Sequence, residues 1–369
     1  MIDVCDALLK ANIPCMEYGL SAIDAYTGLA PTQPTQFIIA EGTIIDLAKQ
    51  FEALMYPSLP YADASLSKEA AGSEVRFLCV DSLQQKNLGA SPLTDFRKVP
   101  NRDYYHDPCG IYPSLRSRDF VYVPSKSSEN ALFETAIYAS RFPNIPEAVF
   151  KGLNLPERPS ALWQRDLLSI ILQGPYSSQA LNGLLASGFV ERQWPALYAL
   201  LSVDHAKECH PEGGGWSHTM AALDQRKTYD LTLSLAVLLH DTGKPRSTAR
   251  EGHRFDHHAE IGASLAQSFL SSLNFSPETI EDVYFMIRWH MLPAALPKIP
   301  ISTVSDIVLD RRFVDLLELY RCDEFSTFTG PESYYAACAA YRAYMKNVRN
   351  PYRDGQGRKL HRSQAGMGI

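Results

Sequence analysis

Two adjacent ionisable side chains, His240 and Asp241, close an apolar run in Leu235-Ala-Val-Leu-Leu-His-Asp-Thr-Gly-Lys244. Apolar surroundings make such groups costly unless something pairs with them. A divalent cation is an economical partner, because neutral imidazole and carboxylate both ligate it. Eight of the ten histidines fall between residues 205 and 290: His205, His210, His218, His240, His253, His257, His258 and His290. Several stand beside helix-like apolar patterns instead of in a low-complexity tract, which argues against a His-rich metal sponge.

The elements around these residues must bring them together. His218 follows a glycine-rich loop, His210-Pro-Glu-Gly-Gly-Gly-Trp-Ser-His218-Thr, where the chain enters a helix. Asp230 to His240 carries the pattern of one helix, ending on the His-Asp pair. His258 to Leu273 reads as the next and Pro277 to Met291 as a third, opened by Ser276-Pro277 in N-cap and N1 positions. Asp323 sits in Ser305 to Phe325, read as one helix that also holds Asp306, Asp310 and Asp315. Ligands spread singly over several helices are how a helical bundle builds a metal site in its core. A His/Asp set without cysteine points to one or two ions of Mn, Mg, Ni, Co or Fe and away from structural zinc. Such an ion acidifies bound water and clamps phosphoryl oxygens, which suits phosphoester hydrolysis. Asp241 and Lys244 are the catalytic candidates, and His210, Lys244 and Arg246 the substrate-binding ones. For His218, His240 and Asp241 the alternative is a buried polar network satisfied internally. His205, His253 and His257 read as surface residues and Cys209 as an ordinary thiol.

The 369 residues suffice for two or three domains with packed cores. A net charge of -6 argues against a chain that coats nucleic acid along its whole surface. Seven cysteines without a CxxC pair fit reduced thiols. No secretion signal and no apolar run of membrane-spanning length is read, so the expected compartment is the cytoplasm. Residues 1–125 alternate strand-like runs (Gln36 to Ala40, Glu74 to Val80, Asp119 to Val123) with helical stretches such as Thr43 to Leu54, an α/β layer. Residues 126–205 read as a helical connecting domain, with Ser127 to Phe142, Ala161 to Gln173, Ser177 to Leu185 and Gln193 to Leu201 at helical spacing. Residues 206–330 form the all-α metal-binding domain, helical throughout. Residues 331–369 give a last helix, Tyr334 to Val348, and a basic tail expected to be disordered. The predicted fold class is therefore α+β.

The order His218…His240-Asp241…Asp323 resembles the HD superfamily of metal-dependent phosphohydrolases. His210-Pro-Glu, Trp216-Ser-His-Thr219, Leu239-His-Asp-Thr-Gly-Lys-Pro245, Phe255…His258…Gly262-Ala and His290-Met are similar to the HD domain attached to bacterial tRNA nucleotidyltransferases and poly(A)-polymerase-like enzymes. The resemblance implies metal-dependent phosphatase and 2',3'-cyclic phosphodiesterase activity, with His218, His240, Asp241 and Asp323 as ligands of a first metal. His258 and His290 match positions that serve a second metal in two-metal relatives. They read either so or as residues that support the ligands or face substrate.

That family places a nucleotidyltransferase domain ahead of the HD domain. Its pattern is a glycine pair, Arg-Asp, then a strand with two carboxylates one residue apart that hold Mg. The corresponding frame here runs Tyr18-Gly-Leu-Ser-Ala-Ile-Asp24-Ala-Tyr-Thr-Gly28, then Pro34 to Ala40, and His106-Asp-Pro-Cys-Gly110 resembles a further family segment. Gly19 lacks its partner glycine, Ile23-Asp24 stands for Arg-Asp, and Thr35, Gln36 and Phe37 stand where the carboxylates belong. The expected N-terminal domain is thus a degenerate nucleotidyltransferase fold, the alternative being an unrelated α/β module.

The function expected is hydrolysis of a nucleotide or RNA-terminal phosphate at the HD site, with nucleotidyl transfer lost. The rival is an RNA- or nucleotide-binding protein with a vestigial or structural HD site, its RNA held by the tail's seven Lys/Arg between Arg342 and Arg362, opposed only by Asp354.

Overall fold

The computed structural model describes residues 4–29, 35–55, 62–68, 73–85, 91–119, 130–203, 214–250, 254–327 and 330–348. They fall into two compact units, residues 1–193 with 228–231, and 194–227 with 232–369. The first is a mixed sheet with helices and the second is largely helical, an α+β chain.

In the first unit the long apolar runs make the sheet's centre. Strands β1 (Cys15–Tyr18), β2 (Gln36–Glu41), β3 (Leu54–Met55), β4 (Ala64–Lys68), β5 (Ser73–Val80), β6 (Arg97–Lys98) and β7 (Tyr105–His106) pair in the order β3-β4-β5-β2-β1-β6-β7 among the described residues. Only β2 and β5 run parallel; the other pairs are antiparallel. Residues 37–40 of β2 are buried on both faces, as a central strand requires. Alternation sends Ile38 and Ala40 into one core with Val75, Phe77, Val4 and Leu8, and turns Phe37 and Ile39 to the opposite face. Helices α1 (Val4–Lys10), α2 (Leu20–Thr27) and α3 (Ile44–Ala48) accompany the sheet, while α4 (Ala131–Arg141), α5 (Ala161–Leu172) and α6 (Ser177–Ala186) follow it, α4 buried at every position.

One expectation about this unit needs revision. The helix at Thr43 starts as foreseen, with a capping box in which Thr43 and Asp46 satisfy each other's backbone N–H. It stops at Ala48 instead of Leu54, because Leu54 and Met55 pair with Leu66 and Ser65 on the sheet edge. The strand expected at Asp119 to Val123 lies, apart from Asp119, outside the described residues.

The second unit holds α7 (Gly215–Asp224), α8 (Leu231–Leu239), α9 (His258–Ser272), α10 (Pro277–Trp289), α11 (Phe313–Phe325) and α12 (Glu332–Val348). Helix α8 is apolar on all sides and its residues 233–239 are buried, the signature of a core helix. Ser276 caps α10 by accepting from the Thr279 N–H, with Pro277 at N1. The unit is not helical throughout. Strands β8 (Thr248–Arg250) and β9 (Arg254–Asp256) form an antiparallel hairpin between α8 and α9. Nor is 305–325 one helix: Asp310 accepts from the backbone N–H and guanidinium of Arg312, local bonds that compete with helical ones and break the run.

The turn after α8 meets the start of α9 at glycines. A Cβ on Gly243 would lie 2.0 Å from the His258 carbonyl oxygen and 2.6 Å from the Gly262 nitrogen. This contact sets His258 against Asp241. Gly243→Ala is expected to lower stability by about 1–3 kcal/mol, the range for forcing extra atoms into a packed site. A urea-denaturation midpoint equal to wild type would contradict the close packing.

Candidate metal centre

Five helices deliver the charged cluster. His218 lies inside α7, His240 and Asp241 directly follow α8, His258 opens α9, His290 caps the end of α10, and Asp323 lies in the last turn of α11. His218, His240, Asp241, His258 and His290 are all buried, and the Asp323 side chain is 22% exposed. Two triads emerge, His218/His240/Asp323 and Asp241/His258/His290, each with its ligand atoms within 4.8 Å of one another.

The ring orientations follow from hydrogen bonding. His240, His258 and His290 place Nδ1 at 2.8, 2.7 and 2.7 Å from the carbonyl oxygens of Val237, Phe255 and Ile287. A carbonyl only accepts, so each ring carries a hydrogen on Nδ1 and, when neutral, a bare lone pair on Nε2. Those Nε2 atoms converge. His258 Nε2 lies 3.1 Å from His290 Nε2, and His218 Nε2 lies 2.9 Å from Asp323 Oδ1. Asp241 stands between the triads: its Oδ2 is 3.3 Å from His240 Nε2 and 3.6 Å from His218 Nε2, while Oδ1 is 3.9 Å from His258 Nε2. Lys244 donates to the same Oδ2 at 2.6 Å.

Electrostatics sharpen this picture. Burial, reinforced by His240 and His258, pushes His290 down to about 3, and burial likewise lowers His258. Both rings therefore stay neutral, and no proton bridges their facing lone pairs. Burial opposes ionisation of Asp241 and Asp323, but the neighbouring imidazoles, and for Asp241 Lys244, hold both carboxyls well below the usual range. Burial disfavours a charged His240, yet the two carboxylates outweigh it and raise the ring to about 10, so without a cation a proton sits there. His240 Nε2 and Asp241 Oδ1 are buried without a hydrogen-bond partner. A divalent cation in each triad would take the place of that proton and satisfy these atoms: neutral imidazole and carboxylate suit Mn, Mg, Fe, Co or Ni.

The cluster opens into a cavity of about 830 Å³, bordered also by Lys244, Phe255, Glu260, Arg288, Trp289 and Met291. Lys244 Nζ stands 5.7 Å from the Phe255 ring centre; Arg288 lies over Trp289 at 4.6 Å and pairs with Glu260 at 3.0 Å. Of the residues singled out in the sequence, His218, His240, Asp241, Lys244, His258, His290 and Asp323 come together. Asp306, Asp310 and Asp315 do not border the cavity. Arg246 lines a neighbouring groove with Glu260, Ile261 and Ser264. His210, like His205, Cys209 and His253, lies outside the described residues, and the His257 side chain is 81% exposed. Ser326, Arg288 and Phe255 are additions. Ser326 announces itself only as a hydroxyl one turn beyond Asp323.

Comparison with known proteins now bears on this geometry. The family model described as "HD domain" matches residues 217–314. Residues 217–314 are an HD domain. That match contains five of the six clustered side chains; Asp323 lies beyond it and is brought in by α11. The chain is 29% identical over 202 residues to the multifunctional CCA protein of Halorhodospira halophila, covering 50% of this chain and 48% of that protein. It is 28% identical over 271 residues to the A-adding tRNA nucleotidyltransferase of Deinococcus radiodurans, covering 66% of this chain and 60% of that one. The chain thus matches about half to three fifths of these relatives' length and is similar to them over that part. A solved CCA-adding enzyme in complex with ATP superposes at TM-score 0.43 and 13% identity over 95% of this chain and 83% of that one, a likeness too loose to place residues.

The sheet unit handles its charges differently. In the β2–β5 register Phe37 pairs with Arg76, whose guanidinium stands 5.4 Å from the Phe37 ring centre. Arg76, fully buried, ion-pairs with Asp166 at 2.5 Å and Glu74 at 3.3 Å. Asp24 is buried against Arg141 at 2.9 Å. Every one of these carboxylates has a guanidinium partner.

Metal content tests the two-triad arrangement. After equilibration with Mn²⁺ and dialysis, the wild type is expected to retain one ion per triad, His258→Ala to lose the second-triad ion alone, and Asp241→Asn to weaken both. Elemental analysis reads this; His258→Ala with undiminished metal would assign that ring a supporting place only.

Proposed function

We propose that the HD centre is a metal-dependent phosphohydrolase or phosphodiesterase for a nucleotide or RNA-terminal phosphate, 2',3'-cyclic ends included. We propose further that nucleotidyl transfer has been lost from the sheet unit. The first reading rests on one observation: two facing triads of imidazole and carboxylate that open into a cavity of nucleotide size. Divalent ions held by His218, His240 and Asp323, and by Asp241, His258 and His290, would acidify water and neutralise phosphoryl charge.

The chain's own residues supply binding and orientation. Asp241, with one oxygen toward each triad and Lys244 on Oδ2, keeps the two ligand sets in register. The Lys244 ammonium has three donors and spends one on Asp241, leaving others for a phosphoryl oxygen. Arg288 is a second cation on the same cavity, and Phe255, Trp289 and Met291 offer apolar surface to a base or sugar. The relatives, one named as a multifunctional CCA protein and one as an A-adding tRNA nucleotidyltransferase, support an RNA end as the substrate's source.

Loss of transfer is supported by the charges around β2. Nucleotidyl transfer needs carboxylates free to hold Mg. The frame carries Thr35, Gln36 and Phe37 instead, and a buried guanidinium beside Phe37 repels a divalent ion.

With Mn²⁺, Ni²⁺, Co²⁺ or Mg²⁺ the protein is expected to hydrolyse bis-p-nitrophenyl phosphate and 2',3'-cAMP. His240→Ala and Asp241→Asn should each lower kcat/KM more than ~100-fold, the upper range for loss of a residue that merely supports a ligand. A metal-loaded protein inert toward both compounds with all four ions would overturn the hydrolytic reading. Incorporation of CMP or AMP into a tRNA lacking its 3' end would overturn the loss of transfer.

A further inference from the structure

His218 differs from the other three histidines in how its ring is held. His240, His258 and His290 use the carbonyl three residues earlier in their own segment. For His218 that carbonyl belongs to Gly215, inside α7, and it already accepts the Thr219 hydroxyl at 2.9 Å. Helix-interior carbonyls are also committed to the backbone ladder. The ring therefore reaches to another helix end: its Nδ1 lies 3.1 Å from the hydroxyl of Ser326, 108 positions further along the chain.

Ser326 is directional. Its hydroxyl donates to the Asp323 carbonyl at 2.6 Å. A hydroxyl has one hydrogen and two acceptor sites, so toward His218 the oxygen must accept. The ring then carries its hydrogen on Nδ1, and Nε2 is left bare toward Asp323 Oδ1, 2.9 Å away. One side chain thus fixes the tautomer of one ligand of the first triad and ties it to the turn that carries another. We infer that Ser326 is a positioning residue of the HD centre, orienting His218 Nε2 and Asp323 for the first ion. The inference rests on the metal-centre reading above. Its position in sequence lies outside the matched HD segment, as Asp323 does.

Two measurements on the full chain test it. Titration with Co²⁺, followed by its visible absorption, should show that Ser326→Ala weakens one of two binding events by about 10- to 100-fold, the effect of removing such a supporting partner. The other event should stay unchanged, and Ser326→Thr should restore the wild-type curve. Identical Co²⁺ curves for wild type and Ser326→Ala would overturn the inference. Long-range ¹H–¹⁵N spectra of the metal-free, ¹⁵N-histidine-labelled protein, assigned with His218→Gln, read the tautomer directly. The Nδ1–H form of His218 is expected in wild type and in Ser326→Thr, and a shift toward Nε2–H in Ser326→Ala. A wild-type His218 protonated on Nε2 alone would also overturn it. Absence of Co²⁺ binding by the wild type would sink the metal reading, while the spectra would still decide what Ser326 does to His218.

Discussion

Four imidazole lone pairs and two carboxylates aimed into one buried space are the constraint on which the helical unit depends. Acceptors facing acceptors at 2.9–3.9 Å repel one another and have left water to do so. No arrangement of the same rings relieves this, because their Nδ1 hydrogens are already committed to backbone or hydroxyl oxygens. Only positive charge in the gap does, and before any cation arrives that charge is a proton on His240 and the ammonium of Lys244. The scaffold must therefore be stiff enough to hold a strained electrostatic arrangement. It is: α8 is embedded on all sides, and Gly243 and Gly262 let two backbones meet with no side chain between them.

The two units contain similar residues put to opposite use. In the sheet unit, Asp24, Asp166 and Glu74 are each paired with a guanidinium, of Arg141 or Arg76. Removing one partner of such a pair strands a buried charge, so these residues hold their places for stability. In the helical unit Asp241 and Asp323 stand instead among imidazoles, of which His258 and His290 are held neutral, so that their charge is compensated incompletely. A carboxylate beside arginine already has its counter-charge, whereas a carboxylate beside a bare imidazole nitrogen is suited to share a cation.

How much of this was legible in the sequence depended on the range of the forces involved. The His-Asp pair ending α8, the Ser276-Pro277 start of α10 and the central strand Gln36 to Ala40 are local features, written in runs of adjacent residues, and they are found where the sequence puts them. The hairpin of β8 and β9 went unseen because each strand is three residues long and gains its stability from pairing. The end of α3 is set by sheet-edge pairing of Leu54, and the break before α11 by a carboxylate–guanidinium bond at Asp310 and Arg312. Among four aspartates on 305–325, spacing alone could not single out Asp323; its place 2.9 Å from His218 Nε2 and 3.7 Å from His240 Nε2 does. Arg246 follows Lys244 closely in sequence, yet the 3₁₀ turn at 244–246 sends the two into different grooves.

The placement of the histidines at helix ends has its own physical reason. The last carbonyls of a helix lack intrahelical donors and need a partner from elsewhere. An imidazole just past the end can fold back to supply one, as His240 does for Val237 and His290 for Ile287. The same bond satisfies the helix and fixes the tautomer, leaving Nε2 free to face inward. A histidine within a helix has no such carbonyl available, so His218 takes its acceptor from α11, the helix that also brings Asp323. The dependence of the first triad on α11 is thus a consequence of where His218 sits. A ligand placed mid-helix must be oriented by tertiary structure, whereas one placed at a helix end is oriented by its own turn.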